Sequence, residues 1–114
     1  MTPISRGLLI GLLLAAADTA QDKPMAVTEK DLRAAATQKV EPEYPAVARQ
    51  IRLIGEVQLE IVVDPSGDVE KVTVVRGNTL LTGPSLQAIR KWKFKPFGVE
   101  PSRATGPINF SFQM

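Results

Sequence analysis

Residues 55–76 read GEVQLEIVVDPSGDVEKVTVVR, and the fold follows from how this stretch is read. In its first half Val57, Leu59, Ile61 and Val63 fall on alternate positions, with Glu56, Gln58 and Glu60 between them. A period of two gives a strand with one apolar face and one wet face. Asp64, Pro65, Ser66 and Gly67 then supply turn chemistry. Pro65 presets φ at the first corner, Asp64 can accept bonds from the following backbone, and Gly67 can take φ > 0 at the exit. A type I turn closed by a glycine bulge suits a loop of this length. The second half, from Val69 to Val75, is rich in β-branched residues, although Val72 and Val74 share a face that Val75 opposes. The stretch is a β-hairpin.

Size and composition bound the rest. The 114 residues make one domain's worth of chain, and 44% apolar residues can fill a small core. The formal charge is +2; without residues 1–17, which carry Arg6, the balance is 13 basic against 12 acidic residues. That near-neutral balance argues against a nucleic-acid partner, which normally calls for a basic face. The chain has neither cysteine nor histidine, which excludes disulfides, thiol chemistry and His- or Cys-based metal sites. No cofactor or metal is expected. Residues 8–17, LLIGLLLAAA, follow a short segment with one arginine and end in small residues. This is the layout of a signal peptide over 1–17, and the run falls short of the about 20 residues that a spanning helix wants. Uncleaved, the same run is a signal anchor. Either form puts the remainder outside the cytoplasm, free or tethered to the membrane.

Residues 18–40 are polar and read as a linker. Within it Thr28, with Asp31 three residues on, marks the start of a helix with a thin apolar face. Pro42 and Pro45 bracket Tyr44 and hold the chain extended. Pro45 then opens a short helix in which Val47 and Ile51 share a face. After the hairpin, Thr82 or Gly83 with Pro84 is expected to begin a second helix, whose Leu86, Ala88, Ile89 and Trp92 form one stripe. Pro96, Gly98, Pro101, Gly106 and Pro107 mark a loop. Pro107 is expected to open the last strand, not to sit inside it. Ile108, Phe110 and Phe112 then alternate with Asn109, Ser111 and Gln113. The order helix, strand, strand, helix, strand predicts an α+β sandwich of two layers over 41–114. Its three-stranded antiparallel sheet has order 2-1-3, with two helices on one face. The last strand is then an edge.

Tyr44-Pro45-Ala46, Ala48-Arg49, Gly55 and Val57, then Asp64 to Gly67 with Val69, then Leu86, Ala88-Ile89, Lys91-Trp92, Phe94 and Pro96 carry a resemblance. In order and spacing these residues resemble the C-terminal domain of the TonB family, over about residues 38–114. The resemblance implies a periplasmic module of TonB-dependent transport. Its partner is an extended, TonB-box-like peptide of an outer-membrane receptor, and inner-membrane motor proteins are further partners of the family. An edge strand suits this role, because its unpaired N–H and C=O groups are a template for strand addition. Ile108, Asn109, Phe110, Ser111 and Phe112 form the expected docking strand, with Tyr44 and Arg103 as accessory contacts. The competing reading is an exported structural module that dimerises through edge strands.

Two further clusters carry less. Lys91-Trp92-Lys93-Phe94-Lys95 could stack and neutralise a nucleic-acid strand, but Trp92 completes a helix stripe and Phe94 continues inward, which leaves the lysines as a solvated face. Glu56 and Glu60 share the wet face of one strand with Gln58 between them, and paired carboxylates can do acid–base work, yet an open sheet face gives them no pocket. The chain reads as a binding module, not as an enzyme.

Overall fold

The computed structural model describes residues 23–114, so the proposed leader over 1–17 lies outside the described residues. Nine elements follow in order: β1 (Met25–Ala26), α1 (Glu29–Ala35), β2 (Ala36–Gln38), α2 (Ala46–Gln50), β3 (Gly55–Val63), β4 (Val69–Arg76), α3 (Thr79–Ile89), β5 (Lys93–Phe94) and β6 (Ala104–Phe112). β3 and β4 form the hairpin that the sequence dictates. Val57, Leu59, Ile61 and Val63 are all fully buried on one face of β3. At the turn the Gly67 N–H donates to Asp64 O at 3.0 Å, and Gly67 sits at φ 95°. A Cβ there would lie 2.1 Å from Phe94 O, so position 67 admits only glycine.

β6 pairs antiparallel with β3 along its whole length, from Gly55 opposite Phe112 to Val63 opposite Ala104. Ala104, Ile108, Phe110 and Phe112 thereby join the buried face of β3. The helices close this core with Leu32 from α1, Ala48 from α2, and Leu81, Ala88 and Ile89 from α3. Trp92 follows α3 and is fully buried, edge-on to Phe110 at 5.9 Å. Its indole Nε1–H donates to Val40 O at 2.9 Å, which satisfies the one polar atom of the ring. β2 and β5 form a separate two-stranded ribbon beside this tryptophan.

Several expectations need correction. The expected order 2-1-3 is present as β4-β3-β6, but the sheet has four strands, β1-β6-β3-β4, and β1 runs parallel to β6. The helices number three among the described residues, not two. The added elements come from the polar stretch read as a linker. Thr28 does cap α1, accepting from the Asp31 N–H at 3.1 Å, but Leu32 is fully buried against the sheet. One large apolar side chain is enough to dock a helix of two turns whose remaining surface is wet.

The two prolines also sit deeper than expected. α3 starts at Asn78, whose side chain accepts from the Leu80 N–H at 2.9 Å, and Pro84 lies inside the helix. Asparagine is as strong a cap as the threonine favoured from sequence. Pro107 lies inside β6, opposite Glu60. Its nitrogen faces away from β3, so its missing N–H takes nothing from the ladder.

The hairpin turn carries a measurable charge effect. Asp64 Oδ1 accepts from the Ser66 hydroxyl at 2.7 Å, the Ser66 N–H at 2.9 Å and the Asp68 N–H at 3.0 Å. These bonds, the Ser66 hydroxyl first and then the backbone at Asp68, favour the ionised carboxylate and hold Asp64 below the usual aspartate range. A lowered folded value gives stability that is present above the unfolded value and lost as pH falls through the folded one. Asp64→Asn is therefore expected to unfold more readily than wild type at neutral pH. The difference should shrink as pH drops below the ordinary aspartate range, as read by denaturant titration at a series of pH values.

Candidate functional site

The outer side of β6, the side turned away from β3, is the candidate site. Odd-numbered residues present their backbone there. Arg103 O accepts from the Met25 N–H at 2.8 Å, and Thr105 O accepts from the Val27 N–H at 2.9 Å. Farther along, the Asn109 N–H donates to Glu29 Oε2 at 3.0 Å, while Arg33 Nη2 donates to Asn109 O at 2.6 Å. Pro107, between these two points, has no N–H to offer. By the alternation of a strand Ser111 has the same outward backbone, and it is exposed. The edge expected to be bare is thus bonded by the chain's own N-terminal segment at Arg103 and Thr105 and by α1 side chains at Asn109.

The contact at Asn109 has a specific geometry. Glu29 and Arg33 are one helical turn apart on α1, and Arg33 Nε donates to Glu29 Oε2 at 2.9 Å. Glu29 Oε1 also accepts from Asn109 Nδ2 at 3.0 Å. A carboxylate takes the N–H and a guanidinium serves the C=O, so the pair supplies Asn109 with both bonds that a neighbouring strand would give it. Arg33 also lies over the Trp92 ring, 5.7 Å from its centroid. These bonds are charge-assisted and only partly exposed, which places them above a solvent-exposed ion pair.

The expected site residues separate into two groups. Ile108, Phe110 and Phe112 are buried, with their side chains in the core, and only their neighbours Asn109 and Ser111 offer backbone to the outside. Tyr44 packs edge-on against Phe112 at 5.5 Å, and its hydroxyl donates to Leu53 O. It plugs the end of the sheet beneath α2, with Arg49 over its outer face at 5.4 Å. Arg103 reaches across to β4, where its Nε donates to both carboxylate oxygens of Glu70 at 3.0 Å. Glu29 and Arg33 were not among the expected site residues. Their spacing marks them as a helix pair, but nothing local indicates that Asn109, 76 residues beyond Arg33, is the third member.

Beyond the C-terminal end of β6 an open cavity of about 290 Å³ is lined by Tyr44, Arg49, Gln113 and Met114. Val47, Ile51 and Ile54 are exposed apolar residues on and after α2. Among the described residues no group of histidine, cysteine, aspartate or glutamate could hold a metal ion. The basic–aromatic cluster is dismantled by the fold, because Trp92 and Phe94 are buried and Lys93 pairs with Asp68 at 2.6 Å.

The model of the Gram-negative bacterial TonB protein C-terminal domain matches residues 40–114. The chain belongs to the TonB C-terminal domain family. It is 37% identical over 76 residues to Protein TonB of Xanthomonas campestris pv. campestris, a match that covers 61% of this chain and 34% of that protein. To Protein TonB of Haemophilus ducreyi it is 31% identical over 110 residues, covering 94% of this chain and 39% of that protein. The chain spans well under half the length of these relatives. The solution structure of the Pseudomonas aeruginosa TonB C-terminal domain shares the fold, with a TM-score of 0.60 at 20% identity over 69% of this chain and 84% of that one. TonB proteins are energy transducers and not enzymes. No helix among the described residues is long and apolar enough to cross a membrane. The family model begins after α1, whereas the match to the Haemophilus ducreyi protein, at 94% of this chain, takes in Glu29 and Arg33 as well.

Removing the side-chain clamp tests its weight. Glu29→Ala leaves the Asn109 N–H without its acceptor and Arg33 without its carboxylate partner. It is expected to destabilise the domain by about 1–2 kcal/mol in chemical denaturation and to speed hydrogen exchange at the Asn109 amide. Asp31→Ala, on the same turn, retains the amide that Thr28 caps and should change the Asn109 exchange rate little.

Proposed function

We propose that this chain is a periplasmic TonB-like module of TonB-dependent transport. It takes up an extended, TonB-box-like peptide of an outer-membrane receptor by strand addition on the outer edge of β6. The observation that supports this reading is β1 itself. Two residues of extended chain pair with β6 from outside, in register with Ala104 and Thr105, so this edge has the register to take a strand once its own arm is displaced. A receptor segment of four or five residues would make more such bonds than β1 does. Each is worth about 1 kcal/mol net, and together they must offset the ordering of the peptide. The affinity is therefore modest. Family membership favours the same partner class, and it extends the list to inner-membrane motor proteins, which the anchor reading of residues 1–17 would bring into reach.

A second reading has its own support. β4 ends the sheet on the far side, with no strand beyond it among the described residues, and its Val74 and Val75 are exposed. Two copies could pair there edge to edge, as a structural or dimerisation module without transduction. Light scattering after size exclusion separates the two, since a dimer that persists when β6 is blocked favours the β4 reading.

Register selects the variant that tests the main reading. Phe110→Pro would remove a backbone bond to β3 opposite Val57 and disturb the sheet itself. Ser111→Pro removes an outward N–H at the parity that Pro107 already tolerates. It is expected to leave thermal stability nearly unchanged and to weaken a synthetic TonB-box peptide severalfold in calorimetric titration. Chemical-shift changes on addition of that peptide should centre on residues 103–111. Changes confined to β4 would overturn the assignment.

A further inference from the structure

We infer that residues 25–33 are a built-in competitor for the docking edge, a self-strand with a side-chain clamp that must be displaced before a partner strand can add to β6. This rests on the reading of β6 as the docking edge and states how that edge is regulated. Three observations carry it. The Met25 and Val27 N–H groups donate to Arg103 O and Thr105 O, the outward acceptors an incoming strand would use. Glu29 and Arg33 then hold both outward groups of Asn109. Between them the backbone of this arm lies directly on Gly106, where a Cβ would come within 2.4 Å of Val27 O and 2.9 Å of Leu32 Cδ1.

Gly106 is the decisive residue. Its φ lies outside the left-handed region, so the strand itself does not require glycine there. Ile61 opposite would accept alanine in an ordinary ladder position. The atoms nearest such a Cβ all belong to Val27 and Leu32, so the glycine is what lets the arm close over this position. A seat for the arm is therefore written into the last strand, some 80 residues downstream of Met25 and Ala26, as a close approach of two backbones.

The hold is limited in extent. β1 pairs over two residues, both exposed, and Pro107 interrupts the row of donors just past Gly106. A longer partner strand offers more backbone bonds than the arm and can replace it. While the arm is seated, only the fraction of molecules with an open edge binds, and the apparent affinity falls by that fraction. Thr28 caps α1 immediately after Val27, so release of the arm draws on the same segment that carries Glu29 and Arg33. Strand and clamp form one latch.

The experiment compares wild type, Gly106→Ala and the double variant Ala26→Cys/Thr105→Cys, with a synthetic TonB-box peptide as the probe. Ala26 and Thr105 are register partners, and the chain has no other cysteine, so oxidation ties the arm to the edge. Hydrogen exchange at the Met25 and Val27 amides reads the arm without any ligand. Gly106→Ala is expected to speed that exchange and to bind the peptide about tenfold more tightly than wild type. The oxidised double variant should bind undetectably, and reduction should restore binding. If Gly106→Ala does not fold, Met25→Pro removes one bond of the arm without adding atoms toward β6 and should shift affinity in the same direction. Equal affinity in the oxidised and reduced double variant overturns the latch and leaves the docking edge standing. So does a freed arm with unchanged affinity. Absence of binding in every variant, with exchange showing the arm released, overturns the docking edge and the latch together.

Discussion

The outward backbone groups of β6 are the constraint on which the rest of the structure turns. Its inner side is fully bonded to β3, but a strand at a sheet margin still has an equal number of N–H and C=O groups pointing away. Here that row is satisfied piecemeal. Extended chain serves Arg103 and Thr105, a proline removes the donor at position 107, and a carboxylate with a guanidinium serves Asn109. The placement of β1, the choice of glycine at 106 and the orientation of α1 all follow from this. Each would be unexplained in a sheet whose margin was left to water.

The energies of the two sides differ in kind. On the inner side, fully buried Val57, Leu59, Ile61, Ile108 and Trp92 each contribute roughly 1.5–3 kcal/mol of transfer free energy, in a packed cluster that opens only as a whole. On the outer side the hold is a few hydrogen bonds of about 1 kcal/mol each and one buried leucine. Such a margin can open locally while the hairpin and helices stay folded. That separation is what an edge needs if it is to exchange its own strand for another without unfolding the domain.

The TonB family model covers residues 40–114 and so includes the hairpin, α2, α3 and β6, but not the arm over residues 25–33. The shared part fixes which strand lies at the margin. What covers that margin is set by residues 25–33, which precede the matched region and depend on Gly106 within it. The family model thus accounts for the edge, and residues 25–33 account for how it is kept closed.

The hairpin, its turn, the cap at Thr28 and the inward set of β6 were legible because each is decided by neighbours within a few residues. Period-two alternation sets a face, Asp64 and Gly67 set a turn, and a threonine with a free amide three residues on sets a helix start. The order of the three antiparallel strands could be read too, because the most apolar strand belongs in the middle. The fourth strand could not be, since Met25-Ala26 is too short and too exposed to show any period. Pro107 was misplaced because a strand tolerates proline on one parity and not the other, and parity is fixed only by which neighbour it faces. Glu29, Arg33 and Asn109 are each ordinary polar residues in sequence. Only the fold brings them within 3.0 Å of one another, and that long-range meeting decides whether the edge of β6 is bare or held.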